Sequence, residues 1–173
     1  MAFSTDPTEY PPRSAVLMSA DGTLVDIAII SQSPTVSASP AYSAGDVVGS
    51  KLTFSNGVLS AGGKAMLQAA TVNCKSAQTA ALDLILFNDD PAASTFTDNA
   101  ALSIAAADFD KIFTVVHITD WTNLGTPSFA QAKNEGFPYS SVAKTMYGVL
   151  VARAAMTLGS TSDIKVTVRT IRQ

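Results

Sequence analysis

Residues 80–96 read Ala80-Ala-Leu-Asp-Leu-Ile-Leu-Phe-Asn-Asp-Asp-Pro-Ala-Ala-Ser-Thr-Phe96 and decide the fold class. Leu82, Leu84, Ile85, Leu86 and Phe87 form a nearly continuous apolar run that is too short for a helix, as expected of a strand covered on both faces. Asn88, Asp89, Asp90 and Pro91 stop it. Short carboxylate and amide side chains bond local backbone there, and proline has no N–H with which to continue a ladder. The rest of the chain is expected to cover this strand.

Outward from it, the strand signals recur. Tyr42-Ser-Ala-Gly-Asp46 is a turn leading into 47–54, where Val48, Leu52 and Phe54 share a face. Asn56-Gly57 and Gly62-Gly63 punctuate the next stretch. Met66 to Lys75 then predicts a strand with Leu67, Ala69, Thr71 and Asn73 on one side and Met66, Gln68, Ala70, Val72 and Cys74 on the other. Beyond the core run, Thr97 or Asp98 is positioned to cap a short helix through Ala100, Ala101 and Leu102, and Ala105 to Phe109 predicts a second helical turn. Ile112 to Asp120 returns to β-branched residues, and Trp121 to Gly136 reads as a long polar excursion. Two strands close the chain, Met146 to Arg153 and Ile164 to Ile171. In the last, Ile164, Val166 and Val168 face in, and Lys165, Thr167 and Arg169 face out.

Residues 1–45 differ in character. Pro7, Pro11, Pro12, Pro34 and Pro40, with many Ser and Thr, frame one apolar island, Leu24-Val-Asp-Ile-Ala-Ile-Ile30, after an Asp21-Gly22 turn signal. The expectation is an extended N-terminal arm carrying one strand, with a β-sandwich domain over 46–173. The island fits an edge strand of its own domain as well as a strand added to a neighbouring subunit. About eight short strands without alternating long helices predict an all-β, antiparallel, jelly-roll-like sandwich with one or two short helical turns.

Composition bounds the rest. A chain of 173 residues suits one domain, and such a domain buries roughly 70% of its unfolded surface, enough to fold without metal or disulfide. Only 14% of residues are charged, against a usual share of about 25%, which favours a surface covered by neighbours. A net charge of −3, with the 11 basic residues scattered along the sequence, argues against a nucleic-acid groove. Cys74 is the single cysteine, so no intrachain disulfide forms. The segment Met1-Ala-Phe-Ser-Thr-Asp-Pro7 lacks the basic region and apolar core of a signal peptide, and no apolar run reaches the ~18 residues of a membrane span. Neither secretion by that route nor membrane insertion is expected.

Candidate chemistry is sparse. A thiol–imidazole system would require Cys74 and His117, the sole residues of their kinds, to meet. Asp89-Asp90 and Asp108-Phe-Asp110 are paired carboxylates of the sort used for acid–base work or hard cations, but turn and cap roles explain both. One His and one Cys make a poor zinc set. Gly62-Gly63-Lys64 fails as a phosphate-binding loop, because Val58 and Ala65 stand where glycine and Ser or Thr are needed. Trp121, Phe129, Phe137 and Tyr139 are of the type that stacks on sugars or a partner, but anchoring the excursion to the core is the expected role for each. No catalytic residue, metal or cofactor is expected.

Tyr42-Ser-Ala-Gly-Asp-Val-Val-Gly49, Leu82-Asp-Leu-Ile-Leu-Phe87 with Pro91, Thr95-Phe-Thr-Asp-Asn-Ala-Ala-Leu102, and Met146-Tyr-Gly-Val-Leu-Val-Ala-Arg153 followed by Asp163-Ile164 together resemble a family of tailed-bacteriophage virion structural proteins. The resemblance spans residues 42–172. It implies a β-sandwich particle component, a capsid decoration (cement) protein on the outer capsid surface, made in the bacterial host cytoplasm. It implies the major capsid protein and copies of itself, as a homotrimer, for partners, and no nucleic acid or membrane. Tyr10, Leu24, Ile27 and Ile29 of the arm and Trp121 of the excursion are then the candidate subunit or capsid contacts. The alternative is a head–tail or tail component, including a carbohydrate-binding sandwich, whose mark would be aromatics from 121–139 lining a groove.

Overall fold

The structure, a computed structural model, describes residues 17–18 and 24–173. Its strands are β1 (Leu17–Met18), β2 (Leu24–Gln32), β3 (Leu52–Phe54), β4 (Lys64–Cys74), β5 (Leu82–Phe87), β6 (Ile112–Ile118), β7 (Trp121–Asn123), β8 (Ser128–Ser140), β9 (Met146–Ala152) and β10 (Ile164–Arg172). One helical turn, α1 (Ala106–Phe109), precedes β6. The strands form a six-stranded sheet ordered β1-β2-β10-β4-β8-β7 and a four-stranded sheet ordered β3-β9-β5-β6, with every pairing antiparallel.

The topology is that of a rolled hairpin. With β1 and β7 set aside as edge additions, the outermost pair in sequence joins (β2 with β10), then β3 with β9, β4 with β8, and β5 with β6, successive pairs falling in alternate sheets. That nesting defines a jelly roll. The expected all-β sandwich is therefore present, with β5 at its innermost turn.

All six residues of β5 are buried. Leu82, Leu84 and Leu86 point between the sheets, into a core shared with Leu52, Phe54, Leu67, Val72, Leu150, Val166 and Val168. Each such side chain stabilises the fold by roughly 1.5–3 kcal/mol relative to exposure. Ile85 and Phe87 point the other way, into a second cluster with Val149, Val151 and Phe96 that Leu102 and Ile104 cover. The segment 88–111 thus roofs the outer face of the smaller sheet.

The structure corrects several expectations. The boundary expected at residue 45 does not hold, because β2 pairs with β10 over seven residues and Val36 and Tyr42 enter the main core. Residues from 24 onward belong to this chain's own sandwich. The helix expected at 100–102 is absent: Asn99 adopts φ 58 and Ala101 bridges to Asp46, while the Asp98 carboxylate serves distant donors instead of a helix start. The excursion from Trp121 is a hairpin of β7 and β8, whose weak strand propensity is overridden by pairing with β4. On β4 the expected faces hold within 69–74, but Leu67 shares the face of Ala70, Val72 and Cys74 and Met66 that of Ala69, Thr71 and Asn73, the reverse of strict alternation. A bulge between Leu67 and Ala69 lets Ala65 and Leu67, then Ala70, Val72 and Cys74, all face the core.

Candidate contact surface

The larger sheet has no roof among the described residues, and its outer face sorts into rows set by register. At one end Ile27 (β2), Ile171 (β10), Met66 (β4) and Pro138 (β8) stand side by side across four strands. With strands ~4.8 Å apart, the row is about 15 Å wide. Ile29 flanks it, 64% exposed, and Ile27 is 43% exposed. A shallow hollow of about 270 Å³ lies over Met66, Pro138 and Ile171. A strand normally alternates apolar-in and polar-out, so β2 departs from pattern by presenting isoleucines outward at 27 and 29 while Ala28 faces in.

The next rows turn polar and basic. Ile29 adjoins Arg169, Ala69 and Lys133, then Ser31 adjoins Thr167, Thr71 and Gln131, with Ser31 Oγ and Thr167 Oγ1 2.8 Å apart. The last row sets Lys165 beside Asn73 and Phe129. There a groove of about 520 Å³ opens, floored by Phe129, walled by Leu124 and Pro127 of the β7–β8 turn, and rimmed by Lys75 and Lys165. Basic residues scattered along the sequence are thereby gathered on one face.

Trp121 is turned from this surface. Its indole N–H donates to the Ala80 carbonyl at 2.7 Å and its ring packs on the main core. Tyr139 is buried too, stacked on Phe113 at 4.6 Å between ring centres and donating to the Gly57 carbonyl at 2.8 Å. Phe137 is 39% exposed and pairs with Leu67, away from the groove. Tyr10 lies outside the described residues, and Leu24 opens β2 opposite Met18.

The remaining candidates are held in structural bonds. Cys74 faces the core, 3.3 Å from Ser76 Oγ, and burial pushes its thiol up. His117 lies on the other sheet, 70% exposed, and its Nδ1–H donates to the buried Asp83 at 2.7 Å, so thiol and imidazole do not meet. Arg153 binds the second Asp83 oxygen. The two aspartate pairs converge only through lysines. Lys111 donates to Asp108 at 2.8 Å and to the Asp90 carbonyl at 2.6 Å, and Lys51 donates to the Asp90 carboxylate at 2.6 Å. The Lys111 and Ser94 hydrogen bonds hold the Asp108 carboxyl below the usual carboxylate range, the opposite of what a general acid requires. Among the described residues no group of three or more His, Cys, Asp or Glu is placed to hold a metal ion, and no helix is long and apolar enough to cross a membrane.

Ile27 and Ile29 were open to sequence reading as outward apolar residues. Ile171, Met66 and Pro138 were not, since only the strand order puts them in one row. The groove was likewise hidden, because Phe129, Lys165 and Lys75 come from three strand ends. No family model and no curated protein matches the chain.

Proposed function

We propose that the protein is a structural virion component that decorates and stabilises a bacteriophage capsid by bridging capsid subunits, binding the major capsid protein on the outer shell and copies of itself as a homotrimer. The observation that carries this reading is the apolar row Ile27–Ile171–Met66–Pro138 with Ile29 beside it, on a sheet face that no described segment covers. Such a row contributes little to the fold of the free chain and gains free energy only when another surface covers it. Completing the burial of Ile27, 43% exposed, is worth about 1 kcal/mol, and that of Ile29, 64% exposed, about 1–2 kcal/mol. Contacts that small become effective when one particle engages several subunits at once, each further contact forming at high effective concentration.

The test is co-sedimentation with capsids that lack the protein, comparing wild type with the Ile27→Asp/Ile29→Asp double variant. Both side chains face solvent, so folding is retained, and affinity falls at least about tenfold. Equal binding by a folded double variant, or a protein that stays monomeric and ignores capsids, overturns the reading.

The alternative, a tail component that binds carbohydrate, is favoured by the groove alone. It draws only Phe129 from the four aromatics of 121–139. Antibody labelling of intact particles under the electron microscope separates head from tail.

A further inference from the structure

The groove at the Phe129 end of the larger sheet has three features that the apolar row does not explain. The first is a pair of like charges. The Lys75 N–H donates to the Asp163 carbonyl at 3.0 Å while Lys165 stands opposite Asn73, so the two lysines are diagonal neighbours on adjacent strands, both at the groove's rim. Residues so placed are roughly 7–8 Å apart at the backbone, within reach of long side chains. Neither lysine forms an ion pair among the described residues, and Lys75 Nζ meets only the Ser162 hydroxyl, at 3.1 Å. The single carboxylate of the lining, Asp163, is taken up by the Ser76 and Ser160 hydroxyls and the Gly159 N–H. Two ammonium groups held together without a counter-charge repel each other, and a bound anion relieves that repulsion.

The second is an apolar wall fixed in the open. Leu124 is 63% exposed, yet the β7–β8 turn holds it in place: its N–H donates to the Pro127 carbonyl at 2.8 Å, and Gly125 takes φ 91. With Pro127 it lines the groove beside the half-buried Phe129. The third is size. The groove measures about 520 Å³, against about 270 Å³ for the hollow over Met66, and clefts that take small ligands run roughly 300–1,000 Å³. Phe129, Asn73 and Lys165 form one row across β8, β4 and β10, so at ~4.8 Å per strand Phe129 and Lys165 are about 10 Å apart along the floor. Apolar lining with a few polar groups gathered at one end is how such sites are ordinarily built.

We propose that this groove binds a small amphiphilic anion. Its ring or short hydrocarbon body lies on Phe129 against Leu124 and Pro127, and its carboxylate, sulfonate or phosphate group sits between Lys75 and Lys165. Asn73, midway along the row, offers its amide to polar atoms between the two ends. A nucleic-acid strand fits less well, because successive bases need successive aromatics and the lining has Phe129 alone.

Titration of the full chain with anilinonaphthalene sulfonate, whose fluorescence rises on leaving water, tests this beside phenylnaphthylamine, the same ring system without the anionic group. The expected result is saturable binding of about one sulfonate per chain. Lys75→Gln/Lys165→Gln weakens the sulfonate about fivefold and leaves the neutral probe unchanged. Leu124→Ser, at an exposed position where folding is retained, weakens both probes several-fold. Absence of saturable binding, a folded lysine variant that binds the sulfonate as wild type does, or binding lost instead in Ile27→Asp/Ile29→Asp, which would place the probe on the apolar row, each overturns the assignment. None of these outcomes depends on capsid binding.

Discussion

Replacing Asp98 by alanine removes a carboxylate that three separate stretches of chain share. Oδ1 accepts the Tyr42 hydroxyl at 2.7 Å and the Gly49 N–H at 2.6 Å, and Oδ2 accepts the Ser37 hydroxyl at 2.5 Å. Tyr42 in turn accepts the Ser37 N–H at 2.7 Å. Burial, helped by the Asp98 bond, pushes the Tyr42 phenol well above its ordinary range, so it stays a donor at all working pH values. The network ties the crossing between β2 and β3 to the roof of the smaller sheet. Tyr42 and Gly49 are buried, and a buried donor stripped of its partner costs about 1–3 kcal/mol, while the half-buried Ser37 has access to water. Asp98→Ala therefore costs about 3–5 kcal/mol, a large share of the 5–15 kcal/mol typical of a domain.

Asparagine keeps one carbonyl oxygen for Tyr42 and Gly49, and Ser37 can rotate to accept from the amide, so Asp98→Asn costs about 1–2 kcal/mol. Urea unfolding followed by the fluorescence of Trp121, the single tryptophan, measures both. A double-mutant cycle with Tyr42→Phe should return a coupling of about 1.5–3 kcal/mol. Loss of less than ~1 kcal/mol in Asp98→Ala at unchanged m-value would refute the reasoning, as would alanine and asparagine variants of equal stability.

Two further outcomes follow from the same structure. Gly49→Ala places a Cβ 2.6 Å from Pro34 Cβ at φ +85 and should cost about 3 kcal/mol or more, whereas Gly45→Ala, at φ +96 with nothing within 4 Å, should cost only the ~1–2 kcal/mol of its backbone conformation; thermal melts compare them. Burial pushes Tyr139 up to about 12, so its contribution is complete below the unfolded value of ~10 and is lost as pH rises toward 12. Wild type should lose about 2–3 kcal/mol more than Tyr139→Phe over that interval in urea titrations at stepped pH.

The sandwich was legible because its signals are local. An apolar run at 82–87 closed by Asn88-Asp-Asp-Pro91 needs no knowledge of neighbours to be read as a doubly covered strand. The alternation in β10 likewise survives intact from sequence to sheet. What failed had non-local causes. Asp98 looks like a helix cap until Ser37, Tyr42 and Gly49 arrive from 49 to 61 residues away. The poor alternation of β4 carried a hint of its bulge, but not the position, which depends on how β8 and β10 register against it. The island at 24–30 could have belonged to either of two chains, because an edge strand carries no mark of its partner's identity.

The two sheets are treated unequally, and the proposed contact surface rests on that inequality. The smaller sheet's outer face spends Ile85, Phe87, Val149 and Val151 on a roof supplied by the same chain, at 88–111. The larger sheet offers comparable side chains at Ile27, Ile29, Met66 and Ile171, and no described segment covers them. Polar residues there would serve the isolated fold equally well and would guard against association, which is how exposed sheet surfaces are ordinarily kept solitary. The polar, basic end of the same face shows that this sheet tolerates such residues, since Arg169, Lys133 and Lys165 occupy equivalent outward positions one to three rows away. The apolar end is therefore not imposed by the architecture. Its alignment on β2, β10, β4 and β8 at a single level is what the proposed contact would use, and the double charge substitution at Ile27 and Ile29 tests that contact apart from folding.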